Sequence, residues 1–165
     1  MSRLRRPFLY DRYIFVTVDL LKLRTSLQGP GYQCLAQSLA KMREKHAFPP
    51  TAWVFLPDHW HATIYPRYPL TISTVLKAVK VSSMISINVG RKERGDLWQG
   101  RFPSLRSRAS FDRALRTVKE YHETIEYIHL NPVRRGLVKR AEDWRWSSAL
   151  EYAGKARTNR SDGAG

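Results

Sequence analysis

Residues 51–65, TAWVFLPDHWHATIY, constrain this chain most: two short β-branched and aromatic runs flank Pro57-Asp58, a pair that favours a turn. Such a segment reads as a hairpin, and a hairpin commits the chain to antiparallel pairing. Successive side chains of a strand point to opposite faces, so His59 and His61 share one face of the second arm and Trp60 takes the other. Two imidazoles about 7 Å apart along a strand are able to share a metal ion. A solvated or hydrogen-bonded pair is the other reading, and this segment alone leaves both open.

The remaining segments supply partners for the hairpin. Residues 12–19, RYIFVTVD, have the β-branched and aromatic character of a buried strand. After a Gly-Pro-Gly breaker, Leu35, Leu39 and Met42 recur at helical spacing and predict a helix over residues 32–45. Ile72, Val75, Leu76, Val79, Met84 and Ile87 predict a second helix, with Lys77 and Lys80 on its wetter side. RKERGDLWQGRFPSLRS reads as a loop leading into a short strand over 97–106, and a third helix is expected over 111–131, capped by Ser110 and stopped by Pro132. WRWSSALEYAG has room for a last helical turn or two, and the polar, aperiodic end reads as disordered. Strand, helix, hairpin, helix, strand, helix is an α+β order, and the simplest fold with that order is a ferredoxin-like sandwich, a mostly antiparallel sheet with helices packed on it. At 165 residues and 42% hydrophobic, the chain suits one domain over 1–153 followed by a basic tail over 154–165.

Charge points to the partner. Lys and Arg number 29 against 14 Asp and Glu, a formal net charge of +15, and the arginines are spread over the chain rather than gathered in a tail. A folded body so basic expects a polyanion, of which nucleic acid is the commonest. Cys34 is the single cysteine, which excludes an intramolecular disulfide and a cysteine-based zinc site and fits a reducing cytoplasm. The amino-terminal MSRLRRPFLY lacks the apolar stretch of a secretory signal, and no run of about 18 apolar residues offers itself to a bilayer, so no membrane partner is expected. Gly90 and Gly95 have phosphate-loop spacing, but Asp96-Leu97 stands where Lys-Ser/Thr is required, and no nucleophile-elbow, zinc-protease or dinucleotide fingerprint occurs. Any chemistry has to proceed without a nucleotide cofactor.

The third helix carries a second chemical group. Its apolar positions, Ala114, Leu115, Val118, Tyr121, Ile125 and Ile128, gather into one stripe, while Tyr127 falls near the opposite side with Arg116, Glu120, Glu123 and Asn131. A tyrosine used for packing belongs on the stripe. A half-exposed surface tyrosine remains the plain reading. Asn131, one turn further on, either offers a carbonyl oxygen as a metal ligand or turns the chain before Pro132.

FLPDHWHATIYP, LWQGRF, EYIHLNPVRRGLV and DWRWSS, in that order, resemble the REP-associated tyrosine transposases, a branch of the single-tyrosine transposases in the HUH endonuclease superfamily. The resemblance spans residues 12–152. It implies that His59 and His61 bind a divalent ion, Mg²⁺ or Mn²⁺, that Asn131 is the third ligand, and that Tyr127 is the nucleophile. It implies cleavage and rejoining of single-stranded DNA at REP hairpins through a 5′-phosphotyrosyl link, on a ferredoxin-like fold, by a monomer or a homodimer. Trp60 is bulkier than the aliphatic residue usual between the histidines, and Thr63 interrupts the apolar run that normally follows.

A protein of this kind has to grip a strand. Trp98 and Phe102, interleaved with Arg101 and Arg106, offer aromatic faces for bases and cations for phosphates, although Trp98 equally suits a core. Arg134 and Arg135, just past the tyrosine, and Lys77 and Lys80 are further backbone contacts. The alternative function is a non-catalytic module that binds hairpin DNA or RNA on the same scaffold.

Overall fold

The computed structural model describes residues 10–46, 52–100 and 111–161. Its elements run β1 (Ile14–Asp19), α1 (Gly29–His46), β2 (Trp53–Phe55), β3 (His59–Ile64), α2 (Ile72–Arg91), β4 (Phe111–Ala114), α3 (Val118–Arg134), a single 3₁₀ turn at Ala141–Asp143, and α4 (Ala149–Ser161). The four-stranded sheet has the order β2-β3-β1-β4, with β1–β3, β1–β4 and β2–β3 all antiparallel. That is the βαββαβ ferredoxin-like arrangement read from the sequence. The expected hairpin is β2–β3, turned at Pro57-Asp58 and closed by Leu56 N–H donating to the His59 carbonyl at 2.8 Å.

The sheet has two different faces because its strands alternate. Ile14, Val16, Val18, Trp60, Ala62 and Ile64 point to one side and form the main core with α1 and α2. Trp60 is fully buried there, so its extra bulk is packing and does not reach the histidines. On the other side Ala52, Val54 and Leu56 meet Ile125 and Ile128 of α3, with Phe15 and Tyr121 packed around them. Thr63 fits this scheme by accepting a hydrogen bond from the Ala52 N–H at 3.1 Å. The open edge of β2 is covered by the DWRWSS segment: Phe55 N–H donates to the Trp146 carbonyl, Ser148 N–H to the Trp53 carbonyl, and Trp144 Nε1 to the Phe55 carbonyl.

Several boundaries differ from the sequence reading. The Gly-Pro-Gly stretch is the first turn of α1 rather than a breaker before it, since a proline has no need of an N–H at a helix start. Residues 111–131 are not one helix. Phe111–Ala114 pairs with β1 as an edge strand, and α3 begins only after Thr117, whose Oγ1 accepts from Glu120 N–H at 3.1 Å. Pro132 does not stop α3. The helix passes it and ends where Gly136 (φ +71°) donates to the Val133 carbonyl and Leu137 N–H to the Pro132 carbonyl, the paired bonds of a Schellman motif. α4 continues through Ser161, into the stretch read as disordered. Residues 97–99 extend the pairing of β1 through a Leu20–Trp98 bridge, and residues 101–106 of the expected strand lie outside the described residues. α2 is long and apolar enough by length and composition to cross a bilayer, but its Ile72, Val75, Leu76, Val79 and Ile87 are buried against the sheet and α1, as in a core helix.

Candidate active site

Cross-strand register assembles the site. His61 stands opposite Thr17 and His59 opposite Asp19, so all four project from the sheet face that α3 covers. His61 is 4% exposed. Its Nδ1 lies 2.8 Å from Thr17 Oγ1, and its ring stacks on Phe15. His59 Nδ1 lies 2.7 Å from Asp58 Oδ1. Two acceptors do not approach so closely without a proton between them, which assigns His59 the tautomer with hydrogen on Nδ1. Both Nε2 atoms are thereby turned inward, 3.1 Å from each other, a contact that by the same argument holds one proton, carried on His61 Nε2 while Thr17 donates to His61 Nδ1.

This arrangement fits a cation. With metal–nitrogen bonds of about 2.1 Å, two ligands at right angles stand about 3.0 Å apart. Each outer nitrogen already has an oxygen partner, the usual way a ligating imidazole is aimed. Burial, reinforced by the neighbouring His59, pushes His61 down to about 3, so the ring is neutral at neutral pH and its Nε2 offers a lone pair once the hydrogen moves to Nδ1. Thr17's hydroxyl serves either tautomer of His61, because it donates or accepts at Nδ1. Among the described residues, no group of three or more His, Cys, Asp or Glu is placed to hold a metal.

α3 lies beside the histidine pair. Tyr127, Asn131 and Arg135 recur every four residues and line one side of the helix end. Tyr127 sits edge-on to His61, 5.5 Å between centroids, and to Phe15 at 6.0 Å. It is 39% exposed and lies at the border of the buried face rather than opposite it. Asn131 is 7% exposed, on the packed side. Arg135 closes the row: its Nη1 and Nη2 donate to the two Asp58 oxygens at 2.6 and 3.1 Å. Burial opposes the charge on Asp58, but the bonds from Arg135 and His59 outweigh it and hold the carboxyl down to about 2. Arg134, on the following turn from Asn131, places its guanidinium carbon 5.5 Å from the Tyr127 ring centroid.

The expected strand-gripping residues divide. Lys77 and Arg134 are exposed. Lys80 is half-buried and donates to the Gln99 carbonyl at 2.6 Å, and Arg135 is engaged with Asp58. Trp98 corrects the stacking expectation: it is 5% exposed, its Nε1 donates to Ser83 Oγ at 3.0 Å, and its ring belongs to the core. Arg101, Phe102 and Arg106 lie outside the described residues. Thr17, Asp19 and Asp58 were missed by the sequence reading. Asp58 alone had a local signal, as the neighbour of His59 in the turn.

Fold and site together define a basic α+β domain that presents two inward-facing imidazoles and a tyrosine on one face of its sheet. No protein-family profile matches the chain. A REP-associated tyrosine transposase of Escherichia coli (strain K12) is 31% identical over 149 residues, covering 90% of this chain and 82% of that one. A solved structure of a REP-associated tyrosine transposase bound to a REP hairpin superimposes with a TM-score of 0.76 at 27% identity, covering 94% of this chain and 87% of that one. The chain belongs to the REP-associated tyrosine transposases, and is a transposase-class enzyme.

Proposed function

We propose that this protein cuts and rejoins single-stranded DNA at REP-type hairpins, with Tyr127 as nucleophile beside a divalent ion held by His59, His61 and Asn131. The observation that carries the reading is the edge of Tyr127 against His61, 5.5 Å between centroids, within one chain. The Tyr127 hydroxyl attacks a backbone phosphorus and loses its proton as the new P–O bond forms. The bond to the 3′ oxygen breaks, leaving a free 3′-hydroxyl and a 5′-phosphotyrosyl link. Attack by another 3′-hydroxyl on that link reverses the exchange and joins strands. One ester replaces another, so no nucleotide is consumed.

Mg²⁺ or Mn²⁺, when bound, supplies Lewis acidity that offsets charge on the scissile phosphate. The chain's own groups do the rest. Phe15 and His61 hold the Tyr127 ring edge-on, and Arg134 offers positive charge where the phenolate and the phosphoryl oxygens gain negative charge. Exposed Lys77 and Arg134 meet the strand's phosphates, with Arg101, Arg106 and Phe102 as further contacts. Tyr127 and His61 of the same chain meet, 5.5 Å between centroids, which favours cleavage by a monomer over a homodimer with shared sites. A DNA substrate puts its work in the cytoplasm, at the nucleoid.

The test is a denaturing gel of protein incubated with labelled single-stranded hairpins from its own genome, with Mn²⁺ or with EDTA. A covalent band that requires Mn²⁺ and vanishes in Tyr127→Phe supports the reading. Tight hairpin binding without an adduct under any condition replaces it with a non-catalytic hairpin-binding module.

A further inference from the structure

We propose that Asp58 and Arg135 form a positioning latch that fixes the Nδ1–H tautomer of His59 and, through the same carboxylate, sets where the end of α3 stands over the histidine pair. The inference rests on the reading of His59 as a metal ligand and adds two residues to it. Asp58 has three partners on two of its own atoms: His59 Nδ1 and Arg135 Nη1 on Oδ1, Arg135 Nη2 on Oδ2; Arg135 Nη1 and His59 Nδ1 are 3.1 Å apart, two donors converging on the one oxygen. Two parallel N–H bonds from a planar fork fix direction as well as distance. Both ends of the latch are held. Asp58 lies in the β2–β3 turn, where its carbonyl accepts the Leu20 N–H at 2.8 Å. Arg135 is the cap residue of α3, pinned by its own N–H to the Asn131 carbonyl at 3.0 Å and by the Schellman bonds that follow.

Two consequences follow from one carboxylate serving both elements. His59 Nε2 presents a lone pair toward His61 only while Nδ1 carries the hydrogen, so Asp58 governs how the imidazole meets a cation. Tyr127 lies two turns before Arg135 on the same side of α3, so the ion pair also sets its register against His61. Arg135 is thereby a positioning residue rather than a phosphate contact.

Metal-free protein labelled with ¹⁵N-histidine reads the tautomer directly by two-bond ¹H–¹⁵N correlation, with the His59 signal assigned from a His59→Gln sample. Wild type is expected as Nδ1–H, and Asp58→Ala as a shift toward Nε2–H. Mn²⁺ affinity, followed by the electron paramagnetic signal of free Mn²⁺, is expected to fall about 10–100-fold in Asp58→Ala. Asp58→Asn serves for both measurements if the alanine variant does not fold. Arg135→Gln keeps the Asp58–His59 bond and the tautomer, yet is expected to slow adduct formation at saturating Mn²⁺ by about 10-fold or more, because the tyrosine loses its register. A wild-type His59 with hydrogen on Nε2, or a tautomer and affinity indifferent to Asp58→Ala, overturns the carboxylate's role. An Arg135→Gln rate equal to wild type overturns the latch. If the tautomer responds as stated but wild type takes up no Mn²⁺, it is the metal reading that fails, and the carboxylate's hold on His59 stands.

Discussion

Arg134 lies with its guanidinium carbon 5.5 Å from the centroid of the Tyr127 ring, two helical turns after it. Its neighbour Arg135 is committed to Asp58, so Arg134 is the arginine of this pair that faces the tyrosine. In the proposed reaction a cation at that place acts on charge that develops as phenol becomes phosphate ester. Replacing Arg134 with Ala is expected to slow adduct formation by about 10–100-fold, with Lys restoring part of the loss. Single-turnover adduct kinetics at saturating hairpin measure this. A rate unchanged in Arg134→Ala shows that the contact has no part in the chemistry.

Thr17 Oγ1 lies 2.8 Å from His61 Nδ1, and in the proposed metal site this hydroxyl, able to donate or accept, would let the buried ring exchange tautomers. Thr17→Val keeps the shape and removes the hydroxyl. Mn²⁺ affinity is expected to drop about 10-fold or more, and stability by about 1 kcal/mol for the lost hydrogen bond. Calorimetric Mn²⁺ titration and urea unfolding separate the two effects. Thr17→Ser, which restores the hydroxyl, recovers the affinity. Equal affinities for Val and Ser would remove Thr17 from the site.

What was legible in the sequence lay within short windows. β1 and the hairpin announce themselves by alternation, α2 by its helical period, and the histidine pair by sharing one strand face. Residues 111–114 misled because Ala114 and Leu115 fall on the same helical stripe as Ile125, whereas the pairing that makes them a strand, Ile14 with Ala114, spans most of the chain. Thr117 and Glu120 carried a usable helix-start signal, and Gly136 a usable stop. Pro132 sits inside α3 rather than at its end because a proline near a helix terminus needs only a turn that tolerates a missing N–H. Thr17 and Asp19 had no local signal at all: they join the site only through the β1–β3 register, which no window of sequence contains.

Burial decides between two classes of proposed DNA contact. Trp98 packs in the core with its Nε1 bonded to Ser83, so Trp98→Phe is expected to lower stability by about 1–2 kcal/mol and to leave hairpin affinity unchanged. Lys77 is exposed, so Lys77→Ala is expected to leave stability unchanged and to reduce the slope of log affinity against log salt by about 0.7–0.9. Fluorescence anisotropy with a labelled hairpin over a salt series reads both. A Trp98→Phe protein that folds as well as wild type but binds poorly reverses the assignment to the core, and a salt slope untouched by Lys77→Ala removes that lysine from the interface.

Two imidazoles give stability a specific pH dependence. Burial lowers His129 to about 4, where it lies 2.8 Å from Ser148 Oγ, and lowers His61 to about 3, against an ordinary value of 6.5. Both stay neutral in the fold while the unfolded chain takes up protons at the ordinary value. The unfolded state therefore binds more protons below 6.5, and stability, full above that value, declines as pH falls toward 4 and 3. Asp58 acts in the same direction but lower, between 3.8 and about 2. Glu120, lowered from 4.5 by hydrogen bonds from backbone N–H groups, adds to the loss, and Asp19, raised from 3.8 by burial, opposes it, so the imidazoles dominate only the upper part of the decline, between 6.5 and 4.5. His129→Gln keeps an amide within reach of Ser148 and removes the titration. Urea unfolding above and below the ordinary imidazole value is expected to show wild type losing stability more steeply than His129→Gln, even though the variant starts lower. Parallel declines in the two proteins would mean that His129 is protonated as readily in the fold as in the unfolded chain.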